Sequence, residues 1–123
     1  MPTIAVVGAS SDRSKYGNKA VRAYLKRGWT VYPVNPREPA VEGRPAFRSI
    51  RDVPGPVDRA ALYVPPSVGE TLLDDLATVK PREVFLNPGT ESMSLLAGLA
   101  IRNLPVATGC AIIDIGEAPA DYC

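Results

Sequence analysis

The chain has 123 residues, enough for one domain with its own hydrophobic core and without help from disulfides or a metal. Its formal net charge is +1, from 14 basic and 13 acidic side chains, and this balance argues against binding nucleic acid or a membrane surface by charge alone. The sequence contains no histidine, so a histidine-based catalytic triad and a histidine-ligated metal or haem are excluded.

The rest of the composition predicts a cytoplasmic protein with a single domain over residues 1–123. Its two cysteines, Cys110 and Cys123, form no CxxC pair and are too few for a disulfide framework. No secretory signal precedes the first predicted strand, and no apolar run reaches the length of a membrane span. No repeat or linker interrupts the chain.

Short segments rich in Val and Ile are predicted as β-strands. Each is almost continuously apolar rather than alternating, as expected when both faces of a sheet are covered. These segments are Thr3–Val7, Trp29–Val34, Arg59–Val64, Glu83–Leu86 and Pro105–Thr108.

Helical patterns lie between most of these strands. The first runs from about Asn18 to Arg27, the second opens at Ser67 with the spacing of a capping box, and the third runs from near Ser92 to Asn103. Between residues 43 and 54 the weak pattern indicates a short strand and a helical turn. The alternation predicts an α/β, Rossmann-like, doubly wound parallel sheet of about five strands with helices on both faces.

The loop after the first strand, residues 8–17, reads GASSDRSKYG and is the first candidate site. In doubly wound folds ligands bind at the carboxyl ends of the strands, and the helix that follows offers unpaired N–H groups to an anion. A phosphate would be met by glycines for close approach, by hydroxyl donors and by charge, supplied by Gly8, Ser10, Ser11, Arg13, Ser14, Lys15 and Gly17. The loop matches neither GxGxxG nor the Walker A motif, so a plain solvated loop remains the alternative.

The second strand ends in VYPVNPR, without the carboxylate that a NAD site places there for the ribose hydroxyls. Asn35, Pro36 and Arg37 therefore suit an adenosine whose ribose carries a phosphate, as in NADP or coenzyme A. The alternative is that Asn35 and Pro36 form a turn and Arg37 is a surface charge.

The third and fourth strands end in ALYVPPS and FLNPGTES. Pro65 and Pro66 cannot donate to a strand ladder and fix an extended exit after Val64, which shapes one wall of a crevice. Asn87, Pro88 and Gly89 form a turn before the next helix. All four strand ends are expected at one edge of the sheet.

The segments GASSDRSKYGN, YPVNP, YVPPS and PVATGCAI together make the chain closely resemble the small bacterial CoA-binding domain proteins, over nearly its whole length. That family is related to the CoA-binding domains of the succinyl-CoA synthetase α subunit and of ADP-forming acyl-CoA synthetases. The resemblance implies a Rossmann-like domain that binds coenzyme A through its ADP part. It implies a diphosphate site at Gly8, Ser10, Lys15, Tyr16 and Gly17, with Asn35, Pro36 and Arg37 along the adenosine and Val64, Pro65 and Pro66 opposite.

The chain departs from the family near its C-terminus. Family members carry a run similar to Asp-Arg-Cys after the last strand, where this chain has Thr108, Gly109 and Cys110. Cys110 is expected at the same edge as the first loop, within reach of the thiol of coenzyme A, so that oxidation could form a mixed disulfide. The alternative is that Cys110 is a small buried apolar residue.

The sequence therefore predicts non-catalytic binding of coenzyme A or acyl-CoA as cofactor or ligand, with no nucleic acid, membrane or metal involved and the protein partner unknown. A second hypothesis is a small NADP-binding oxidoreductase, disfavoured because no substrate domain or proton donor is evident. A third is an interaction subunit of an acyl-CoA enzyme.

Overall fold

The computed structural model describes residues 2–123. Its main sheet has five parallel strands in the order β2-β1-β5-β6-β7, and a two-stranded hairpin, β3-β4, lies beside it. The strands are β1 Thr3–Val7, β2 Thr30–Val34, β3 Ala40–Val41, β4 Arg44–Pro45, β5 Arg59–Leu62, β6 Glu83–Leu86 and β7 Val106–Thr108. The predicted third strand is two residues too long, because after the bond from Tyr63 N to Val7 O (2.8 Å) the chain reaches two prolines.

Helices connect the strands of the main sheet. They are α1 Tyr16–Lys26, α2 Pro66–Thr71, α3 Leu73–Val79, α4 Met93–Ile101 and α5 Ala111–Asp114, with 3₁₀ turns at Ile50–Asp52 and Pro119–Tyr122. Within residues 2–123 no helix is both long enough and apolar enough to cross a bilayer.

Two of the predicted helix boundaries are confirmed and one is wrong. Ser92 caps α4 by accepting a hydrogen bond from Leu95 N (3.0 Å), and Asn103 follows the end of α4 with a φ of 58°. The capping box at Ser67 does not form, because the helix begins one residue earlier at Pro66, whose fixed φ suits a first helical position. That helix is also interrupted at Leu72, which separates α2 from α3.

The sheet is covered on both faces, as predicted, and alternate residues of β1 feed the two halves of the core. Ile4 and Val6 pack with α1 and α5, whereas Ala5 and Val7 pack with α2, α3 and α4. All four are buried, which is why the strand is apolar at every position. The parallel strands bring the loops that follow β1, β2, β5, β6 and β7 to one edge of the sheet, the carboxyl edge.

Candidate functional site

Two glycines hold the loop between β1 and α1. Gly8 has a φ of +94°, a conformation that favours glycine, and a Cβ there would lie 2.6 Å from the carbonyl oxygen of Tyr63. A Cβ at Gly17 would overlap the carbonyl oxygen of Gly8. The first turn of α1 therefore packs directly on the end of β1, and only glycine permits this approach.

The amino end of α1 is open. Lys15 occupies the N-cap position and makes no side-chain cap, and the first turn contains no acidic residue. A helix start carries unpaired N–H groups and a partial positive charge. With the side chain of Lys15 beside it, this helix start favours an anion.

A cavity of about 460 Å³ lies in front of this helix start, and we call it the central cavity. It brings together seven residues that the sequence predicted, namely Gly8, Lys15, Tyr16, Gly17, Val64, Pro65 and Pro66. Its remaining lining comes from Tyr63, Pro88, Gly89 and Thr90. Pro88 and Gly89 belong to the turn after β6, so the expectation that these strand ends meet at one edge is confirmed.

The serines of the first loop make hydrogen bonds within the protein. Ser10 Oγ accepts from Asp12 N (3.0 Å), and Ser14 Oγ donates to Asp12 Oδ1 (2.7 Å). The bonds from Ser14 hold the pKa of Asp12 below its usual value. None of Ser10, Ser11 and Ser14 lines the central cavity. These serines shape the loop rather than face the space beside the helix start.

A carboxylate does lie near the end of β2, and the inference that none does was wrong. Asn35 forms a turn in which its Oδ1 accepts from Arg37 N (2.7 Å) and Glu38 N (3.2 Å). This turn brings the Glu38 carboxylate back to the first loop, where it accepts from Ser11 N (2.9 Å) and from the Ser11 hydroxyl. These bonds from Ser11 lower the pKa of Glu38, so the carboxylate is charged at neutral pH.

Asn35 ties the two loops together instead of facing a cavity. Its Nδ2 donates to Ala9 O (2.8 Å) and to Glu38 Oε2 (3.3 Å). Asn18, which is fully buried at the start of α1, adds a bond from its Nδ2 to Ser10 O (2.8 Å). No sequence pattern indicated these roles of Glu38 and Asn18, because each depends on a turn that closes over several residues.

Two smaller cavities lie on the β2 side. A mainly apolar slot of about 250 Å³ is lined by residues that include Val7, Val34, Pro36, Ile50, Val64 and Val68, and Ser49 and Asp75 also lie in its lining. Beside it, a polar cavity of about 170 Å³ is lined by Pro36, Arg37, Glu38, Pro39, Ala46 and Arg48. Arg48 faces both, and the sequence did not identify it because it comes from the irregular segment after the hairpin.

On the β7 side a further cavity of about 320 Å³, the distal cavity, shares Tyr16, Tyr63 and Pro88 with the central cavity. Its other walls are Asn87, Cys110, Ile113 and Pro119. Asn87 links the end of β5 to the start of α5, because its Nδ2 donates to Leu62 O (3.0 Å) and its Oδ1 accepts from Ala111 N (2.9 Å).

Two tyrosines, Tyr63 and Tyr16, line the distal cavity. The Tyr63 hydroxyl is buried without a hydrogen-bond partner among residues 2–123, and burial raises the pKa of Tyr63. The ring of Tyr16 is more than half exposed at the boundary with the central cavity. The other walls are mainly apolar, and no charged side chain lines this cavity.

The C-terminal segment closes the far side of the distal cavity. Glu117 accepts from Tyr122 Oη and Arg27 Nε, both at 2.5 Å, and these two bonds lower the pKa of Glu117 to about 2. Arg22 Nη2 donates to Tyr122 O at 2.5 Å. This group, which we call the C-terminal clasp, ties residues 117–122, and with them Pro119, to α1.

Comparison with known proteins gives a consistent result. A family model described as CoA binding domain matches residues 2–115. The α subunit of an ADP-forming acetate–CoA ligase from Pyrococcus furiosus is 42% identical over 73 residues, which cover 58% of this chain and 16% of that relative. The chain thus spans about a sixth of the length of this relative.

Solved structures are similar over most of the chain. A conserved hypothetical protein from Pyrococcus furiosus has a TM-score of 0.86 and 31% identity, covering 93% of this chain and 99% of its own. An acetyl-coenzyme A synthetase from Ca. Korarchaeum cryptofilum, solved with phosphate and ADP, has a TM-score of 0.75 and 30% identity, covering 85% of this chain and 25% of its own. The same fold therefore occurs both as a small protein and as one part of a longer synthetase chain.

Proposed function

The chain belongs to the CoA binding domain family, and from this membership we propose that it binds coenzyme A or an acyl-CoA along the carboxyl edge of its sheet. The observation that carries the proposal is the row of cavities from β2 to β7. It offers an apolar slot, a helix start with a lysine, and a second apolar space in the order in which coenzyme A presents its base, diphosphate and pantetheine arm.

The diphosphate is assigned to the central cavity. Gly8 and Gly17 let an anion approach the backbone, and the open start of α1 supplies N–H donors. Lys15 adds a positive charge. Hydrogen bonds to charged groups contribute about 1.5–3 kcal/mol each, so a few of them are enough to anchor the ligand.

The adenosine is assigned to the β2 side. The base fits the apolar slot between Val34 and Val64, which suits a flat aromatic ring. Glu38 beside Arg37 and Arg48 matches a ribose that bears both a free hydroxyl and a phosphate, because the carboxylate accepts from the hydroxyl while the guanidinium groups pair with the phosphate. We therefore expect coenzyme A to bind more tightly than dephospho-CoA, which lacks the ribose phosphate.

The pantetheine arm is assigned to the distal cavity. Its methylene and dimethyl groups suit walls of Tyr16, Pro88 and Ile113. The arm would bring the coenzyme A thiol towards Cys110 on the same wall. The mixed disulfide stays a prediction, and it is read out as an intact-mass increase with CoA disulfide that disappears in Cys110→Ser and persists in Cys123→Ser.

We also propose that this chain binds without catalysing a reaction. This sequence has no histidine, the side chain that most often serves in general acid–base catalysis. One relative is described as the α subunit of a ligase, which favours a protein partner that would carry out chemistry on the bound thioester.

Calorimetric titration with coenzyme A, acetyl-CoA, dephospho-CoA, ADP, NADP and NAD tests the proposal. We expect both CoA species to bind, dephospho-CoA to bind more weakly, and NAD to bind weakly or not at all. Equal affinities for CoA and dephospho-CoA would remove the ribose-phosphate assignment. Binding of NADP without coenzyme A would replace the proposal with the nicotinamide alternative, and no binding by any of them would favour an interaction subunit.

A further inference from the structure

Helix α5 supplies one wall of the distal cavity but is too short to hold itself in place. Ile113 lies within it, Cys110 directly precedes it, and both line the cavity. The helix has four residues, and a bond from Asp114 N to Cys110 O (3.0 Å) closes its turn. Helices shorter than about 12 residues are marginal in water on their own. Contacts with the rest of the fold must therefore fix the position of this wall.

Side chains from three other elements hold α5 at both of its ends. At the first residue, Ala111 N donates to Asn87 Oδ1 (2.9 Å), and Ala111 O accepts from Tyr24 Oη (2.6 Å). At the last residue, Asp114 Oδ2 accepts from Arg59 Nη1 (2.8 Å). The helix is thus held by α1, by β5 and by the turn after β6.

The guanidinium of Arg59 joins these contacts to the sheet. Its Nη1 also donates to Tyr24 Oη (3.0 Å), which leaves the hydroxyl hydrogen for the bond to α5. Its Nε donates to Glu83 Oε1 on β6 (2.8 Å). The side chain is only 15% exposed and lies over the rings of Trp29 and Phe85, at 5.4 and 5.0 Å from their centroids. A planar cation that is bonded to three groups and stacked on two rings has a fixed position.

We propose that Arg59 is a positioning residue for the distal cavity, because it holds α5 at both ends through Tyr24 and Asp114. The inference rests on the proposed function, in which the pantetheine arm fills this cavity. Arg59 is not among the residues that line the cavity, so it acts on the ligand only through α5. It therefore contributes to the affinity for coenzyme A and not to the affinity for ADP, which has no arm.

The size of the effect follows from how much of the time α5 is held. When a wall is in place for only a fraction of the time, the apparent affinity of a ligand that needs the wall falls by that fraction. Losing one partly exposed charge pair changes such an equilibrium by about three- to fivefold. ADP would bind at the central cavity, whose lining contains no residue of α5, and its affinity should not change.

Two carboxylates on the same guanidinium provide the test and its matched control. Asp114→Ala removes the contact with α5, whereas Glu83→Ala removes the contact with β6 and the same charge. The two side chains are 45% and 34% exposed, so both variants are expected to fold. In calorimetric titration, Asp114→Ala should bind coenzyme A about three- to fivefold more weakly and ADP as before. Glu83→Ala should bind both ligands like the unaltered chain.

A double-mutant cycle shows whether Arg59 and Asp114 act as one unit. Arg59→Met keeps an unbranched apolar side chain between the two rings and removes the charge. Adding Asp114→Ala to Arg59→Met should cause no further loss of coenzyme A affinity, because the contact is already absent. A further loss of three- to fivefold would show that Asp114 acts independently of Arg59 and would overturn the proposal.

Hydrogen exchange of the ligand-free chain tests the same contact without coenzyme A. The backbone amides of Ala111 and Gly116 are both hydrogen-bonded, one at the start of α5 and one just after it. Both should exchange about three- to fivefold faster in Asp114→Ala and at the unaltered rate in Glu83→Ala.

Three results would overturn the proposal. They are unchanged exchange at these amides in Asp114→Ala, a coenzyme A affinity that Asp114→Ala leaves unchanged, and equal effects of Asp114→Ala and Glu83→Ala on the ratio of the coenzyme A and ADP affinities. If the unaltered chain bound no coenzyme A while the exchange rates changed as expected, the hold of Arg59 on α5 would stand and the proposed function alone would fail.

Discussion

At the β1–β2 end of the carboxyl edge, backbone groups, charges and close-packed glycines surround the cavities, whereas at the β6–β7 end the walls are mainly apolar side chains. The loops of the first end are tied together by hydrogen bonds that Asn35 and Asn18 donate and by one that Glu38 accepts from Ser11 N. The second end is closed by the C-terminal clasp, which binds residues 117–122 to arginines 90 to 100 residues earlier in the chain. In the proposed function, the first end would recognise the ligand by charge and backbone geometry, and the second by shape.

The largest expected effect is at the first end. Gly8→Ala should lower the free energy of unfolding by at least about 3 kcal/mol, because it combines a positive φ with a Cβ 2.6 Å from the Tyr63 carbonyl oxygen. Gly43→Ala is the matched control, since Gly43 has a φ of +74° but no atom within 4 Å of its Cβ. It should lose about 1 kcal/mol. Equal losses in urea denaturation would show that the close approach at Gly8 is unimportant.

The second prediction distinguishes the two ends, because coenzyme A has an arm that would reach the distal cavity and ADP has none. Ile113→Arg should weaken coenzyme A binding about tenfold, because the arm would lose burial equal to one or two CH₂ groups. The side chain of Ile113 is 62% exposed, so stability should be unaffected. Binding of ADP serves as the control and should be unchanged. Calorimetry that finds both ligands weakened alike would place the arm elsewhere.

The third prediction is a smaller loss of affinity, shared by coenzyme A and ADP. Lys15→Ala should weaken coenzyme A and ADP together by about three- to fivefold, because a solvent-exposed charge pair contributes at most about 1 kcal/mol. The free energy of unfolding should stay the same, because Lys15 caps nothing with its side chain. Arg82→Ala, which removes the same charge at the opposite edge of the sheet, should leave both affinities as they are. Normal binding by the Lys15 variant would mean that the loop has been misassigned.

The smallest expected effect is the loss of stability of the C-terminal clasp at acidic pH. The pKa of Glu117 is lowered to about 2 by its bonds from Tyr122 and Arg27, below an ordinary value of 4.5. The stabilising contribution of this carboxylate is therefore complete above about pH 4.5 and is lost as the pH falls towards 2. As the pH is lowered between these values, the midpoint temperature of thermal unfolding should fall less steeply for Glu117→Gln than for the unaltered chain. Parallel curves would show that the clasp does not depend on this charge.

The first end was more readily predicted from the sequence because its geometry depends on residue types with few substitutes. Gly8 and Gly17 are needed where backbone meets backbone, and Pro65 and Pro66 mark the end of a strand. Glu38 was missed because its carboxylate reaches the first loop only through the Asn35 turn. The strand positions and the order of elements were predicted from the pattern of apolar residues. The strands are apolar at every position because alternate residues, as in β1, are buried on the two faces of the sheet.

The second end was only partly predicted because its walls are ordinary apolar residues brought together by the fold. Ile113 lies in α5, which follows the last strand where no helix was predicted. Pro119 lies in the segment that Glu117 and Tyr122 tie to α1. Cys110 was placed at the correct edge from its position after the last strand. The capping box at Ser67 failed because Pro66, one residue earlier, is a better first helical residue.

The central claim is that one ligand, coenzyme A, occupies both ends at once. Titration of the ¹⁵N-labelled chain, followed by the amide signals in two-dimensional NMR, tests it most directly. Coenzyme A should shift signals from residues 8–17 and from residues 109–113 together, with one common dissociation constant, while ADP should shift only the first group. If coenzyme A leaves residues 109–113 unchanged, or if ADP shifts both groups equally, the two ends do not share the ligand and the account is contradicted.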